Sequence, residues 1–299
     1  MTQTELSPAS ESGPSIPFDA SPQTRGKAIA AVVASLERMR PAGRAVFAAV
    51  QLPALLVDEL LGGGLVRLRE AATASWERHD AGQSLFALGV SVRLSGGATS
   101  TLGEAAAALR EAGNELRYAG PAAARPRFFG GARFAPGGSV RDSAWRAFGG
   151  WQFVLPEILV AMEDGLASAT LTLQLSAVDS ECEIGAKVHQ ALTAPFKVRP
   201  VGQPAAADAR PGPALSPDAW QSAVTAAISE IRAAQYRKVV LARRAVEQRD
   251  RGATSIGDVL TRLGTRYPAC FVFKFATEGS DWIGASPELL GSVDGEVVR

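Results

Sequence analysis

Two side chains in the last quarter of the sequence have the character that proton transfer requires. Lys238 precedes Val239, Val240, Leu241 and Ala242, a β-branched and aliphatic run that reads as a buried strand. Burial disfavours an ammonium ion, which is how a lysine becomes a base near neutral pH. Glu288 follows Trp282, Ile283 and the turn Gly284-Ala285-Ser286-Pro287, and it precedes Leu289 and Leu290. A carboxyl group enclosed by apolar neighbours favours its protonated form and serves as an acid. A base and an acid brought together across a pocket can run a displacement or an elimination that needs opposite proton transfers on one substrate. Each residue also has a plainer reading. A lysine beside a strand usually lays its stem on apolar neighbours and keeps its head in water, and a loop glutamate pairs with an arginine. Composition does not choose between the two.

The neighbouring residues carry a resemblance. Lys238 to Arg243 (KVVLAR) and Gly284 to Leu290 (GASPELL) resemble two signatures of the chorismate-utilising enzymes, a family that includes the isochorismate, salicylate, anthranilate and aminodeoxychorismate synthases. An upstream block, Phe128 to Pro136 (FFGGARFAP) followed by Trp145 to Leu159 (WRAFGGWQFVLPEIL), is similar to the amino-terminal half of the isochorismate synthases. The three blocks stand in the family's order. The resemblance implies that Lys238 deprotonates the water attacking ring carbon 2 of chorismate, and that Glu288 protonates the hydroxyl leaving from carbon 4. Hydroxide is a poor leaving group and water a poor nucleophile, so each needs its own proton transfer. Members that use ammonia generally carry glutamine where Lys238 stands, so a lysine implies water as nucleophile. Salicylate synthases keep the lysine and go on to eliminate pyruvate, and they remain an alternative. Ala242 before Arg243 is closer to the menaquinone-type isochorismate synthases than to the siderophore-pathway ones, where serine is often found.

The resemblance further implies Mg²⁺, bound largely by glutamates of the carboxy-terminal half of the family, so that the metal ligands are expected beyond residue 299. Carboxylates and water are the ligands this small cation prefers. The implied fold is α+β, with antiparallel sheets packed face to face and flanking helices. The implied function is isochorismate synthesis, feeding menaquinone or siderophore production. A non-catalytic binding module with the same fold is the reading from another class.

With 299 residues, 46% apolar and 20% charged, the chain has the composition of a globular protein with a substantial core. Its formal net charge of +1 gives no general attraction for nucleic acid or acidic membranes and points to a small-molecule partner. Two cysteines, Cys182 and Cys270, make neither a disulfide framework nor a metal motif, which suits a reduced cytoplasmic setting. His79 and His189 read as lone surface or packing residues. No apolar run is long enough to span a membrane, and a monomer is expected.

The elements that must position Lys238 and Glu288 follow from pattern. Residues 1–25 read as a disordered lead without the features of a secretory signal. Residues 26–195 read as the amino-terminal part of the fold, 196–217 as a proline-rich crossover, and 218–299 as the first part of the catalytic region. The stretch Lys27–Leu36 suits either a helix or a strand. Gly62, Gly63 and Gly64 lack the lysine and hydroxyl of a phosphate loop. Ser84–Leu94, Phe153–Glu163 and Ala167–Leu175 read as strands, and Leu102–Tyr118 as a helix. Ser216 with Pro217 and Asp218 starts a helix whose apolar face is Trp220, Val224, Ile228 and Ile231. Ser255 caps another. Cys270–Phe275 and Trp282–Ala285 are strands, and Asp294-Gly295 marks a hairpin turn. A chain seldom ends inside an apolar hairpin, so a carboxy-terminal remainder is expected.

Overall fold

The computed structural model describes residues 21–134, 147–196, 216–243, 255–277, 280–294 and 297–298. The expected lead through residue 20, most of the proline-rich crossover, and parts of the upstream family block (135–136 and 145–146) lie outside the described residues.

The chain begins with α1 (Pro22–Glu37), capped by Ser21, whose hydroxyl accepts from the Thr24 N–H at 3.3 Å, with Pro22 in the first turn. The stretch left open between helix and strand is therefore helical. Arg25, at the end of the expected lead, lies inside this helix and pairs with Glu59 of α2 (Ala54–Leu61) at 2.8 Å. Between them runs β1 (Val46–Gln51), and α3 (Gly64–Ala71) follows. Then come β2 (Ala74–Arg78), β3 (Gln83–Leu88), β4 (Val92–Gly96), α4 (Leu102–Asn114) and β5 (Leu116–Ala119).

The next strands are β6 (Phe129–Ala132), β7 (Trp151–Leu155), β8 (Ile158–Glu163) and β9 (Leu166–Leu175), followed by α5 (Glu181–Thr193). Beyond the crossover stand α6 (Pro217–Arg232), α7 (Ile256–Arg266), β10 (Phe271–Thr277), β11 (Ser280–Ser286) and the short pair β12 (Val293–Asp294) and β13 (Val297–Val298).

An eight-stranded sheet in the order β11-β10-β2-β3-β8-β9-β1-β5 carries the fold, and a three-stranded sheet, β4-β7-β6, packs on one of its faces. Among the described residues all ladders are antiparallel except one: β5 runs parallel to β1, with Leu116 opposite Phe47. Two of the expected strands prove to be pairs of strands, for one reason. Gly89, at φ 66°, breaks Ser84–Leu94 between β3 and β4. Pro156, which has no N–H for a ladder, separates β7 from β8. At each break the chain passes from one sheet to the other.

Alternation sorts the side chains between two cores. Phe86, Leu88, Ile158 and Val160 join Leu36, Leu56, Leu68, Ile184 and Val188 of the helices in the larger one. Ala87, Ala74 and Phe275 point the other way and pack with Val154 of the small sheet. β9, expected to be half-buried, is covered on both faces from Ala169 to Leu173: Ala169, Leu171 and Leu173 join the core under the helices, and Thr170 on the other face donates to the Ala124 carbonyl.

Candidate active site

The far end of the large sheet holds a buried charge network on its helical face. Glu77 of β2 is fully buried and accepts from Arg69 Nε at 3.1 Å and Nη2 at 2.8 Å, while Arg69 Nη1 donates to Thr261 Oγ1 of α7 at 2.8 Å. Lys274 of β10 is buried beside them and donates from Nζ to the carbonyls of Arg69 and Glu70, each at 3.0 Å. These carbonyls end α3, where the helix dipole favours a cation. His79 Nε2 lies 3.6 Å from Glu77 Oε2, so this histidine packs against the network rather than standing alone at the surface.

The opposite face of the same strands is aromatic. Phe271, Phe273 and Phe275 alternate with Lys274 along β10, and Trp76 and Trp282 flank them on β2 and β11. Phe273 and Trp282 meet edge to face at 5.5 Å between centroids, and Phe271 stacks on Trp76 at 5.1 Å. Gly284 lies directly opposite Phe273, and a Cβ there would approach the ring to 2.6 Å. The glycine of the GASPELL block thus makes room for this ring.

Between this aromatic face and the small sheet is a cavity of about 800 Å³. Its polar side chains include Arg133, Gln152, Ser286 and Glu288; Trp282, Phe273 and Phe148 supply apolar wall. Gly130 of the FFGGAR block is explained by close approach. A Cβ on Gly130 would sit 2.0 Å from the Gln152 carbonyl oxygen, so β6 can lie against β7 only with glycine there. A Cβ on Gly131 would come no nearer than 4.0 Å to Trp282, and its absence leaves the cavity open at that point.

Glu288 lies at this cavity, just past β11, where its N–H donates to Ser286 Oγ at 3.3 Å. The apolar enclosure expected around it is not formed: Glu288 is exposed, and Leu290 beside it is fully so at 102%. Lys238 is not in a buried strand. Residues 238–243 run without regular structure after α6, Lys238 is exposed, and Val240 is 79% exposed. An extended run needs a neighbouring strand to take its backbone groups, and among the described residues no ladder includes this one. The apolar face of α6 is likewise open, with Ile228 and Ile231 exposed and Ala227 its buried residue. Glu288 lines the cavity, whereas Lys238 is not among its lining residues.

Sequence reasoning passed over Arg69, Glu77, Lys274, Arg133 and Gln152. Lys274 carried a signal: an ammonium set between phenylalanines in a strand must lie on the other face from them. Among the described residues no group of three or more His, Cys, Asp or Glu side chains could hold a metal ion. Glu288 alone among the cavity's lining residues is acidic, so the described residues do not assemble the oxygen set Mg²⁺ prefers. No helix is long and apolar enough to cross a membrane among the described residues.

A mostly antiparallel large sheet with helices on one face, a small sheet on the other and an aromatic-walled cavity between the sheets defines an α+β protein with a candidate site between its sheets. The chain belongs to the chorismate binding enzyme family, whose model matches residues 36–299. It is 32% identical over 173 residues to the isochorismate synthase MenF of Bacillus subtilis, a match covering 58% of this chain and 36% of that protein. It is 30% identical over 171 residues to the salicylate biosynthesis isochorismate synthase of Pseudomonas aeruginosa, covering 55% of this chain and 34% of that one. The matched stretch thus spans about a third of each of these relatives. Among solved structures, the menaquinone-specific isochorismate synthase MenF from Escherichia coli shares the fold with a TM-score of 0.50 at 18% identity, over 89% of this chain and 56% of that one.

Proposed function

We propose that the protein carrying this chain is an isochorismate synthase. Water adds to ring carbon 2 of chorismate, the ring double bonds shift, and the carbon–oxygen bond at carbon 4 breaks. Lys238 takes a proton from the attacking water, and Glu288 gives one to the departing hydroxyl, which leaves as water. The reaction is an isomerisation and needs no oxidant or other co-substrate. The observation that carries the reading is the aromatic-walled cavity with Glu288 at its edge, in a chain of this family that has lysine and not glutamine at position 238. Lys238 as base requires its segment to be drawn to the same ring. Magnesium belongs to the proposal as the ion the family resemblance implies, and no step is assigned to it.

A menaquinone or siderophore role is what the family resemblance implies, and a cytoplasmic monomer with Cys182 and Cys270 as free thiols completes the reading. The test is product analysis of the whole protein with chorismate and magnesium. Isochorismate as product is expected. Salicylate and pyruvate, formed without an added lyase, would replace this assignment with salicylate synthesis, and a folded protein that binds chorismate without converting it would make the fold a binding module.

A further inference from the structure

Strand β11 lies at the edge of the large sheet, and among the described residues no ladder takes up the chain directly beyond it. Trp282, Gly284 and Ser286 alternate onto the aromatic face of the strand, where Trp282 and Ser286 line the cavity. Ser286 is the last residue of β11 and stands opposite Phe271 of β10, so the sheet holds its main chain in place. Pro287 comes next. It has no N–H with which to continue a ladder, and its ring restricts the turn of the chain.

Both main-chain polar groups of Glu288 go to one side-chain atom. Its N–H donates to Ser286 Oγ at 3.3 Å, and the same hydroxyl donates to the Glu288 carbonyl at 3.2 Å. A hydroxyl can do both at once, because one oxygen carries a proton to give and lone pairs to receive. Apolar packing does not hold this segment: Leu289 and Leu290 are 53% and 102% exposed. The place of the Glu288 carboxyl at the cavity is therefore set through its main chain, and the main chain is tied by Ser286.

We infer that Ser286, on the reading of Glu288 as the acid, is the positioning residue for that proton transfer: its hydroxyl keeps the Glu288 main chain over the cavity face of β11. Ser286 itself gains and loses no proton in the reaction and acts only through Glu288. Loss of one neutral hydrogen bond is worth about 2- to 10-fold in the population of one geometry. A misplacement of about 1 Å at a reacting group costs up to about 100-fold in rate.

The experiment measures isochorismate formation from chorismate with magnesium by the whole protein as wild type, Ser286→Ala, Ser286→Thr, Glu288→Gln and the double variant Ser286→Ala with Glu288→Gln. Ser286→Ala is expected to lower kcat by about 10- to 100-fold with KM within a few-fold of wild type. Ser286→Thr keeps the hydroxyl and should stay within a few-fold of wild type. In the Glu288→Gln background, where no acid is left to position, Ser286→Ala should cost less than about twofold more. Full kcat in Ser286→Ala beside a slow Glu288→Gln overturns the inference and leaves Glu288 as the acid. So does a loss that falls on KM, that Ser286→Thr shares in full, or that is equally large in the Glu288→Gln background, because the serine would then act on the substrate or the fold. Near-normal kcat in Glu288→Gln, or a wild type that forms no isochorismate, overturns the acid reading and the inference with it.

Discussion

Removing the Glu77 carboxylate would strand a buried cation. Arg69 and Glu77 are 5% and 0% exposed at their side chains, and three hydrogen bonds of 2.8–3.1 Å join them. Lys274, also buried, is tied to the Arg69 carbonyl. With Glu77→Ala, Arg69 keeps only Thr261 as a named side-chain partner, and positive charge is left in a low dielectric without its counterion. Breaking one side of such a pair costs about 3–5 kcal/mol, against a total stability of about 5–15 kcal/mol for a domain. Replacing both partners, as in Arg69→Met with Glu77→Leu, removes the charge as well as the bond and should cost far less than the sum of the single changes. Urea unfolding followed by tryptophan fluorescence would measure the four proteins of this cycle. A Glu77→Ala cost below about 1 kcal/mol, the range of a surface pair, or simple additivity of the two changes, would refute the argument that this pair is a closed buried unit.

Three further outcomes are expected. In the whole protein, Lys238→Ala and Glu288→Gln should each lower turnover by about 10²- to 10⁴-fold with a smaller effect on chorismate affinity, and the double variant should lose less than the product of the two; near-normal turnover of Lys238→Ala would leave the proposed mechanism without its base. Gly130→Ala drives a methyl group onto the Gln152 carbonyl, whose oxygen would be 2.0 Å away, so it should destabilise the small sheet by about 1–3 kcal/mol or more, seen as a lower melting temperature; an unchanged melting temperature would contradict the close approach of β6 and β7. Burial pushes the Glu157 carboxyl above its ordinary value of 4.5; stability from this group is therefore lost as pH rises through its folded pKa, and Glu157→Gln should raise the melting temperature at pH 7 with the gain vanishing below pH 4.5, as thermal scans at several pH values would test.

Much of the fold was legible because local chemistry and tertiary demand agree at many positions. Ser216 and Ser255 cap their helices as the sequence suggests, and the Phe271-Phe273-Phe275 alternation becomes β10. The helix α5 went unread, although Ser180 and Glu183 form a capping box with bonds to each other's backbone N–H groups. Gly89 and Pro156 stand inside runs that read as single strands, and nothing local says that a break in one strand sends the chain to a different sheet. At the site, Glu288 lines the cavity, yet its surroundings are open where Leu289 and Leu290 suggested enclosure. The buried strand expected at Lys238 is not formed for the same reason: an aliphatic run records a preference for burial, and only neighbouring strands can grant it. Arg133 and Gln152 lie within the two upstream blocks that resemble the family, but the resemblance assigned neither of them a role.

Strand β10 has a different chemistry on each side, with Lys274 turned to the helices and Phe273 and Phe275 turned to the cavity. Sliding it by one residue against β2 would exchange the two sides. An ammonium would then sit among indole and phenyl rings, and the rings would press on Arg69 and Glu77. Native pairing bears one desolvation cost, already met by the carbonyls at the end of α3, whereas each shifted pairing incurs a fresh one. The ions behind the sheet therefore act as a key that admits a single alignment of β10, and the shape of the cavity on the other side is fixed by that alignment.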